Sequence, residues 1–257
     1  MTFTAPPGSR SVDVFSSPET LARAAAARFV ESAASAIAAH GRFVVALSGG
    51  STPRACFDLL ATPEFSAHVD WSNVHIAWGD ERCVPPNDAQ SNFRMASDAL
   101  LSHVPIRAQN VHRMFGELEP AEAALQYEHT LRALFSTSTG APQHIAGARF
   151  DLVLLGLGTD GHTASLFPRG RSVRETERWV TAEFGTSVNM WRLTLTPPII
   201  NAAARVLFLV AGADKAAVLQ RVWHDAINVD LLPAQAVRPS HGELHWMVNQ
   251  GAVGGRT

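Results

Sequence analysis

The chain has 257 residues, of which 46% are hydrophobic and 17% charged, with a formal net charge of −2. This is the composition of a globular chain long enough to bury a large core, and the near-neutral balance gives no sign of a nucleic-acid or membrane-surface partner. No apolar run approaches a membrane span, no basic-then-apolar segment opens Met1 to Arg10, and the two cysteines, Cys56 and Cys83, lie in unrelated contexts; a cytoplasmic, reducing setting without disulfides or a zinc site is expected.

Ser11 to Phe15 alternates weakly and reads as a first strand. Pro18 to His40 carries Leu21, Ala25, Phe29, Ala33 and Ile37 at helical spacing, and Gly41 closes that helix. Phe43 to Leu47 is an apolar run, read as a buried strand. Ser48-Gly49-Gly50-Ser51-Thr52-Pro53 follows, with Thr52 placed to cap a helix whose first residue is Pro53 and which runs through Leu59 and Leu60. Val74 to Trp78 is a second buried strand, leading through Gly79-Asp80-Glu81-Arg82 into a polar loop that reaches Asn87. Helices are expected over Ala89 to Leu101 and over Pro120 to Phe135, and a loop over Ser136 to Gly147.

Phe150 to Leu155 is a third buried strand, ending in Gly156-Leu157-Gly158-Thr159-Asp160-Gly161-His162. Trp179 to Phe184 and Trp191 to Leu195 read as further strands, Pro197 to Ala203 as a short helix, and Arg205 to Ala211 as a fourth strongly apolar strand. Gly212-Ala213-Asp214-Lys215 then leads into a helix through Trp223. Leu244 to Val248 is a last strand, and residues 1–10 and 251–257 read as flexible ends.

No repeat and no long linker divides the chain, so 1–257 is expected to be one domain. Strands alternating with helices give the α/β class, with a mostly parallel, doubly wound sheet covered on both faces. In such sheets ligands bind beyond the carboxyl ends of the strands. Four polar loops follow apolar strands directly: Ser48 to Thr52, Asp80 to Arg82, Asp160 to His162, and Asp214-Lys215. All four should open on one edge.

Ser48, Gly49, Gly50, Ser51 and Thr52 offer backbone N–H groups, hydroxyls and a helix N-terminus, which together make a phosphate cradle. The nucleoside-triphosphate pattern G-x-x-x-x-G-K-[ST] is absent. The plainer reading is a strand-to-helix turn. Lys215, the chain's only lysine, sits at a helix start, where the dipole disfavours it; it is either solvated or a point charge for phosphate. Arg192 is either edge-exposed or aimed at an anion. Asp80-Glu81-Arg82 is either a salt-bridged loop or a carboxylate for sugar hydroxyls beside a guanidinium for an anion.

Gly156 to Gly161 matches G-x-G-x-x-G, the dinucleotide fingerprint. Asp160 inside the turn would repel a pyrophosphate, and Glu175 and Glu177 do not end a recognisable strand. The glycines are read instead as a tight turn that presents Asp160 and His162, an acid beside a general base. A capping or core role is the plainer alternative for His162. His103, His112, His129, His144, His224, His241 and His245 lack ligand spacing, so no metal is expected. No cofactor is expected either. G-x-S-x-G is absent, which favours attack by water over a serine nucleophile.

The stretches "VVALSGGSTP", "WGDERCVPPNDAQSNFRMA", "FDLVLLGLGTDGHTASLFP" and "WRLTLTPPIINAAARVLFLVAGADKA" resemble, in order, the motifs of the 6-phosphogluconolactonase family, across Phe43 to Ala217. The resemblance implies a fold shared with glucosamine-6-phosphate deaminases and ribose-5-phosphate isomerases. It implies hydrolysis of 6-phospho-D-glucono-1,5-lactone to 6-phospho-D-gluconate in the oxidative pentose phosphate pathway, without metal or cofactor. Under it His162 is the base, Asp160 orients it, and Arg82 with backbone N–H groups meets the developing oxyanion. Ser48 to Thr52, Lys215 and Arg192 surround the phosphate, and Asp80 holds hydroxyls. Arg82 and Arg192 are each open to phosphate or oxyanion.

Two alternatives stand beside this. The deaminase relatives resemble D-G-H-x-A-F-N-E-P and D-E-Y, where this chain has Phe167 in place of the glutamate and Arg82 in place of the tyrosine. A regulatory sugar-phosphate-binding module would tend to lose the acid–base pair and usually carries a DNA-binding segment; Asp160 and His162 are both present. The expected partner is the lactone alone, in a monomer or weak homodimer. Arg169 to Arg178 is expected to be either a mobile lid or a solvated loop.

Overall fold

The computed structural model describes residues 10–136 and 148–254. Among them the strands are β1 (Arg10–Phe15), β2 (Phe43–Leu47), β3 (Val74–Trp78), β4 (Asp80–Arg82), β5 (Leu152–Leu155), β6 (Val180–Gly185), β7 (Met190–Leu195), β8 (Arg205–Val210) and β9 (Glu243–Asn249). The α-helices are α1 (Pro18–His40), α2 (Ser51–Leu60), α3 (Pro63–Ser66), α4 (Asn92–Ala96), α5 (Pro120–Phe135), α6 (Pro197–Asn201) and α7 (Ala216–His224).

Six strands make the central sheet, in the order β1-β9-β8-β5-β2-β3, every neighbouring pair parallel. Every residue of β2 and β5 is buried, as expected of strands covered on both faces. The α/β reading therefore holds. The chain passes from β2 outward to β3, then returns to the other side of β2 for β5 and continues outward to β8 and β9. The winding reverses between β2 and β5. The carboxyl ends of these two neighbours flank the crevice where such sheets bind ligands.

A second sheet was not foreseen. β4, β7 and β6 form it in that order, antiparallel throughout. The Asp80–Arg82 segment, expected as a loop, is thus a strand: it pairs Asp80 with Thr194, Glu81 with Leu193 and Arg82 with Arg192. Residues directly opposite share a face. Asp80, Arg82, Arg192 and Thr194 lie on one face, and Glu81 and Leu193 on the other. α5 packs against β6 and β7.

Helix ends correct the sequence reading in three places. α2 begins at Ser51, with Gly50 as its N-cap at φ 104° and no side-chain cap; Thr52 and Pro53 are its second and third residues, so Thr52 cannot cap it. The helix expected over Ala89 to Leu101 is the short α4, followed by a wide helical turn over Ser97–Leu101. The end at 251 is not frayed where it is described: Gly251–Val253 forms a tight turn in which Gly251 and Ala252 are buried, held by the Ala252 N–H donating to Asn249 Oδ1 at 3.0 Å. The remaining end residues, 1–9 and 255–257, lie outside the described residues, as do 137–147 of the expected loop with His144. The other long elements stand close to where periodicity puts them, including α1 with its Ser17–Thr20 capping box.

Candidate active site

The four polar loops open on the same edge because β2, β3, β5 and β8 are parallel. A cleft of about 240 Å³ lies there. Its walls are Ser48, Gly49 and Gly50 after β2, Asp80 and Arg82 of β4, Asn92 of α4, Gly156 to Gly158 and His162 to Ala164 after β5, and Lys215 before α7.

The loop after β5 is folded around its histidine. Gly158 donates its N–H to His162 O at 2.8 Å, and Gly161 donates to Gly158 O at 3.0 Å. His162 N–H reaches Asp160 Oδ1 at 3.1 Å, and His162 Nδ1 lies 2.6 Å from the same oxygen. A Cβ on Gly158 would stand 2.1 Å from His162 Nδ1 and 2.8 Å from Asp160 Oδ1. Glycine is therefore required there by the pair's position. Burial works to raise the Asp160 carboxyl, but the hydrogen bond and charge of His162 outweigh it and hold it below the usual carboxylate range. An ionised carboxylate only accepts, so the Nδ1 proton belongs to the imidazole, and in the neutral ring the lone pair is on Nε2. The Phe167 ring packs against the imidazole at 5.1 Å between centroids.

Asp80 is 7% exposed and ties the walls together. Its Oδ2 accepts from Ser165 Oγ at 2.7 Å, and its Oδ1 accepts from Asn92 Nδ2 at 3.3 Å. Asn92 also donates to the Asp80 carbonyl at 2.9 Å. On the other side Asn92 lies against Gly49, where a Cβ would meet its Oδ1 at 2.0 Å. Asn92 is in turn held by Glu81. That carboxylate is 2% exposed and accepts from Arg82 N (2.7 Å), Asn92 N (2.7 Å), Phe93 N (2.7 Å) and Ser91 Oγ (3.0 Å). Burial pushes the Glu81 carboxyl up, against the pull of these backbone donors. Glu81 is thus the electrostatic cap of α4.

The cationic groups stand apart. Lys215 Nζ is 3.2 Å from Asp214 Oδ2. Arg82 donates from Nη1 to Gln90 O. Arg192 is 9% exposed, and the Nε atoms of both arginines are buried without a hydrogen-bond partner.

The expected residues Ser48, Gly49, Gly50, Asp80, Arg82, His162 and Lys215 therefore meet at one cleft. Asp160 stands behind His162. Ser51 and Thr52 lie in the first turn of α2, outside the cleft wall, and Arg192 sits beside Arg82 on the same sheet face. Sequence reasoning missed Asn92, Glu81 and Ser165. Asn92 and Ser165 lay inside quoted motifs, but their contacts with Asp80 depend on how separate segments meet. Arg169 to Arg178 is strapped down: Arg174 pairs with Asp230 through two hydrogen bonds, Nε at 2.7 Å and Nη2 at 2.5 Å, and Arg169 N–H donates to Asp230 O at 2.7 Å. Among the described residues no cluster of three potential metal ligands occurs, and no helix is long and apolar enough to cross a membrane.

The sequence model described as glucosamine-6-phosphate isomerases/6-phosphogluconolactonase matches residues 16–246, and the chain belongs to that family. A Synechocystis 6-phosphogluconolactonase is 40% identical over 218 residues, covering 84% of this chain and 86% of its own. A rice protein (Oryza sativa subsp. indica) named Probable 6-phosphogluconolactonase 3, chloroplastic, is 37% identical over 243 residues, covering 93% and 74%. The structure of 6-phosphogluconolactonase from Trypanosoma cruzi superposes with a TM-score of 0.82 at 29% identity, covering 99% of this chain and 97% of that one.

Proposed function

We propose that the protein hydrolyses 6-phospho-D-glucono-1,5-lactone to 6-phospho-D-gluconate, as a cytoplasmic enzyme of the oxidative pentose phosphate pathway. The observation that carries this reading is the Asp160–His162 pair, at 2.6 Å, facing the cleft that also holds the Ser48–Gly50 turn. His162 Nε2 takes a proton from a water as its oxygen attacks C1. The carbonyl oxygen becomes negative, and fixed donors offset that charge. The C1–ring-oxygen bond then breaks, and the imidazolium returns its proton to the leaving ring oxygen. The carboxylic acid so formed loses its proton to solvent.

Asp160 keeps the proton on Nδ1 and stabilises the imidazolium. The 6-phosphate rests on the Ser48–Gly50 turn and the N-terminus of α2, with Ser51, Thr52 and Lys215 beside it. Asp80 meets sugar hydroxyls while holding Ser165 and Asn92. Arg82 and Arg192 face an anionic part of the ligand. The Phe167 ring against His162 stands where the deaminase-like motif D-G-H-x-A-F-N-E-P has its glutamate, which favours the hydrolase over that reaction. The test is the ring-opening rate of freshly generated lactone, in the cold and at mildly acidic pH to slow the spontaneous reaction. Enzyme-dependent acceleration supports the reading. Binding of the sugar phosphate without acceleration refutes it.

A further inference from the structure

Phe167 is 7% exposed, yet it stands outside the contiguous hydrophobic core that its neighbour Leu166 joins. Its ring lies instead against the His162 imidazole, 5.1 Å between centroids and tilted by 48°. The end of β6 bounds the rim of that ring. A Cβ on Gly185 would come within 2.9 Å of the Phe167 Cε2 and Cζ atoms and 2.7 Å of Val188 Cγ2. Val188 is exposed and can yield; the buried ring cannot yield without moving against its neighbours. Gly185 is not in the left-handed region, so the close approach of the ring, not the backbone, calls for glycine there.

The chain before and after Phe167 is fastened to the second sheet. Before it, Ser165 N–H donates to Thr194 Oγ1 of β7 at 3.1 Å. After it, Gly170 N–H donates to the Phe167 carbonyl at 2.9 Å, and Ser172 N–H donates to Glu183 Oε2 of β6 at 2.7 Å. His162 is therefore held by two groups that answer to different sheets. Asp160, in the loop after β5 of the central sheet, holds Nδ1. Phe167, carried by β6 and β7, packs on the ring. A side chain packed on an imidazole blocks the rotamers that would turn it away from its partner.

We propose that Phe167 is a positioning residue for the base: the second sheet, acting through this ring, keeps the His162 imidazole in its Asp160-bonded orientation. Gly185 belongs to the same device, because it admits the ring. The effect on turnover rests on the hydrolase reading above, whereas the orientation of the imidazole is a property of the protein alone.

The experiment compares wild type with Phe167→Leu, Gly185→Ala and the double variant, each checked for folding by thermal melting. Leucine keeps the site apolar and withdraws the ring, while alanine forces the ring to shift. Each single variant should lose about tenfold or more in kcat, with KM and 6-phospho-D-gluconate affinity within about twofold. That is the signature of a misplaced reacting group beside intact binding groups. In the Phe167→Leu background Gly185→Ala should cost less than about twofold more, since no ring is left to displace. Nitrogen NMR of histidine-labelled protein at mildly alkaline pH reads the imidazole without turnover. Wild type should show His162 as one tautomer, protonated at Nδ1, and the single variants a mixture. An unchanged kcat or an unchanged tautomer in either folded single variant would overturn the proposal. Fully additive losses in the double variant would overturn it too, and so would mixed tautomers in wild type. If one single variant does not fold, the other decides alone. A wild type with the single tautomer that leaves the lactone unhydrolysed would refute the hydrolase reading instead.

Discussion

Asp160 Oδ1 accepts from both the backbone N–H and the ring Nδ1 of His162, at 3.1 Å and 2.6 Å. One carboxylate oxygen thus fixes the loop and the tautomer together. Asp160→Asn keeps the size but removes the charge that favours the imidazolium. Its kcat should fall roughly 10- to 100-fold or more, with KM little changed, because the lost interaction strengthens as His162 takes up a proton. Steady-state kinetics on the fresh lactone check this. Full turnover would remove the orienting role.

Gly158→Ala tests the same pair by crowding. The new methyl would start 2.1 Å from His162 Nδ1, so the ring must move. Overpacking of this kind costs about 1–3 kcal/mol, which leaves a folded protein whose activity should drop toward that of a histidine-less enzyme. Thermal melting and kcat are read side by side.

Glu81→Ala removes the acceptor for three backbone N–H groups and the Ser91 hydroxyl. With buried donors left unpaired, stability should fall by about 3 kcal/mol or more. Glu81→Gln should lose less, since one oxygen remains. Urea denaturation gives the difference. KM should rise in both variants, because Asn92 positions Asp80 and packs on Gly49.

His75 and His112 carry an acid sensitivity remote from the cleft. Their rings stack at 5.5 Å, with His75 Nδ1 3.2 Å from His112 Nε2. Burial, and then the neighbouring His75, push His112 down to about 4; burial and Arg42 lower His75. The unfolded chain, with histidines near their ordinary value of about 6.5, binds more protons than the folded one across that window. Stability is therefore intact above about pH 6.5 and is lost as pH falls from there toward about 4. His112→Phe should flatten that slope, by an amount on the order of 1–2 kcal/mol for a partly exposed group. Unfolding free energies at stepped pH give the answer, and an unchanged slope would contradict the assignment.

The central sheet was legible because its strands are short apolar runs and α1 and α5 have helical periodicity over many turns. The cleft was legible for the same reason: once β2, β3, β5 and β8 are parallel, the loops after them must meet. What stayed hidden depends on pairing between distant segments. Arg82 opposite Arg192 needs the register of β4 on β7, two segments far apart in sequence. The three-residue β4 has no alternation long enough to read, and its Asp-Glu-Arg composition looks like loop. Asn92 at the cleft depends on Glu81 capping a five-residue helix, a contact no local spacing encodes. The expected cap at Thr52 failed because Gly50, at φ 104°, already turns the chain, so α2 starts two residues earlier, at Ser51.

The most direct test of the account compares wild type with His162→Ala on freshly generated 6-phosphogluconolactone, with 6-phosphogluconate binding measured in parallel. The wild-type acceleration should fall by roughly 10²- to 10⁴-fold in the variant, the usual worth of a positioned general base, with product affinity kept. Acceleration that survives the substitution would contradict it and move the base to another group of the cleft.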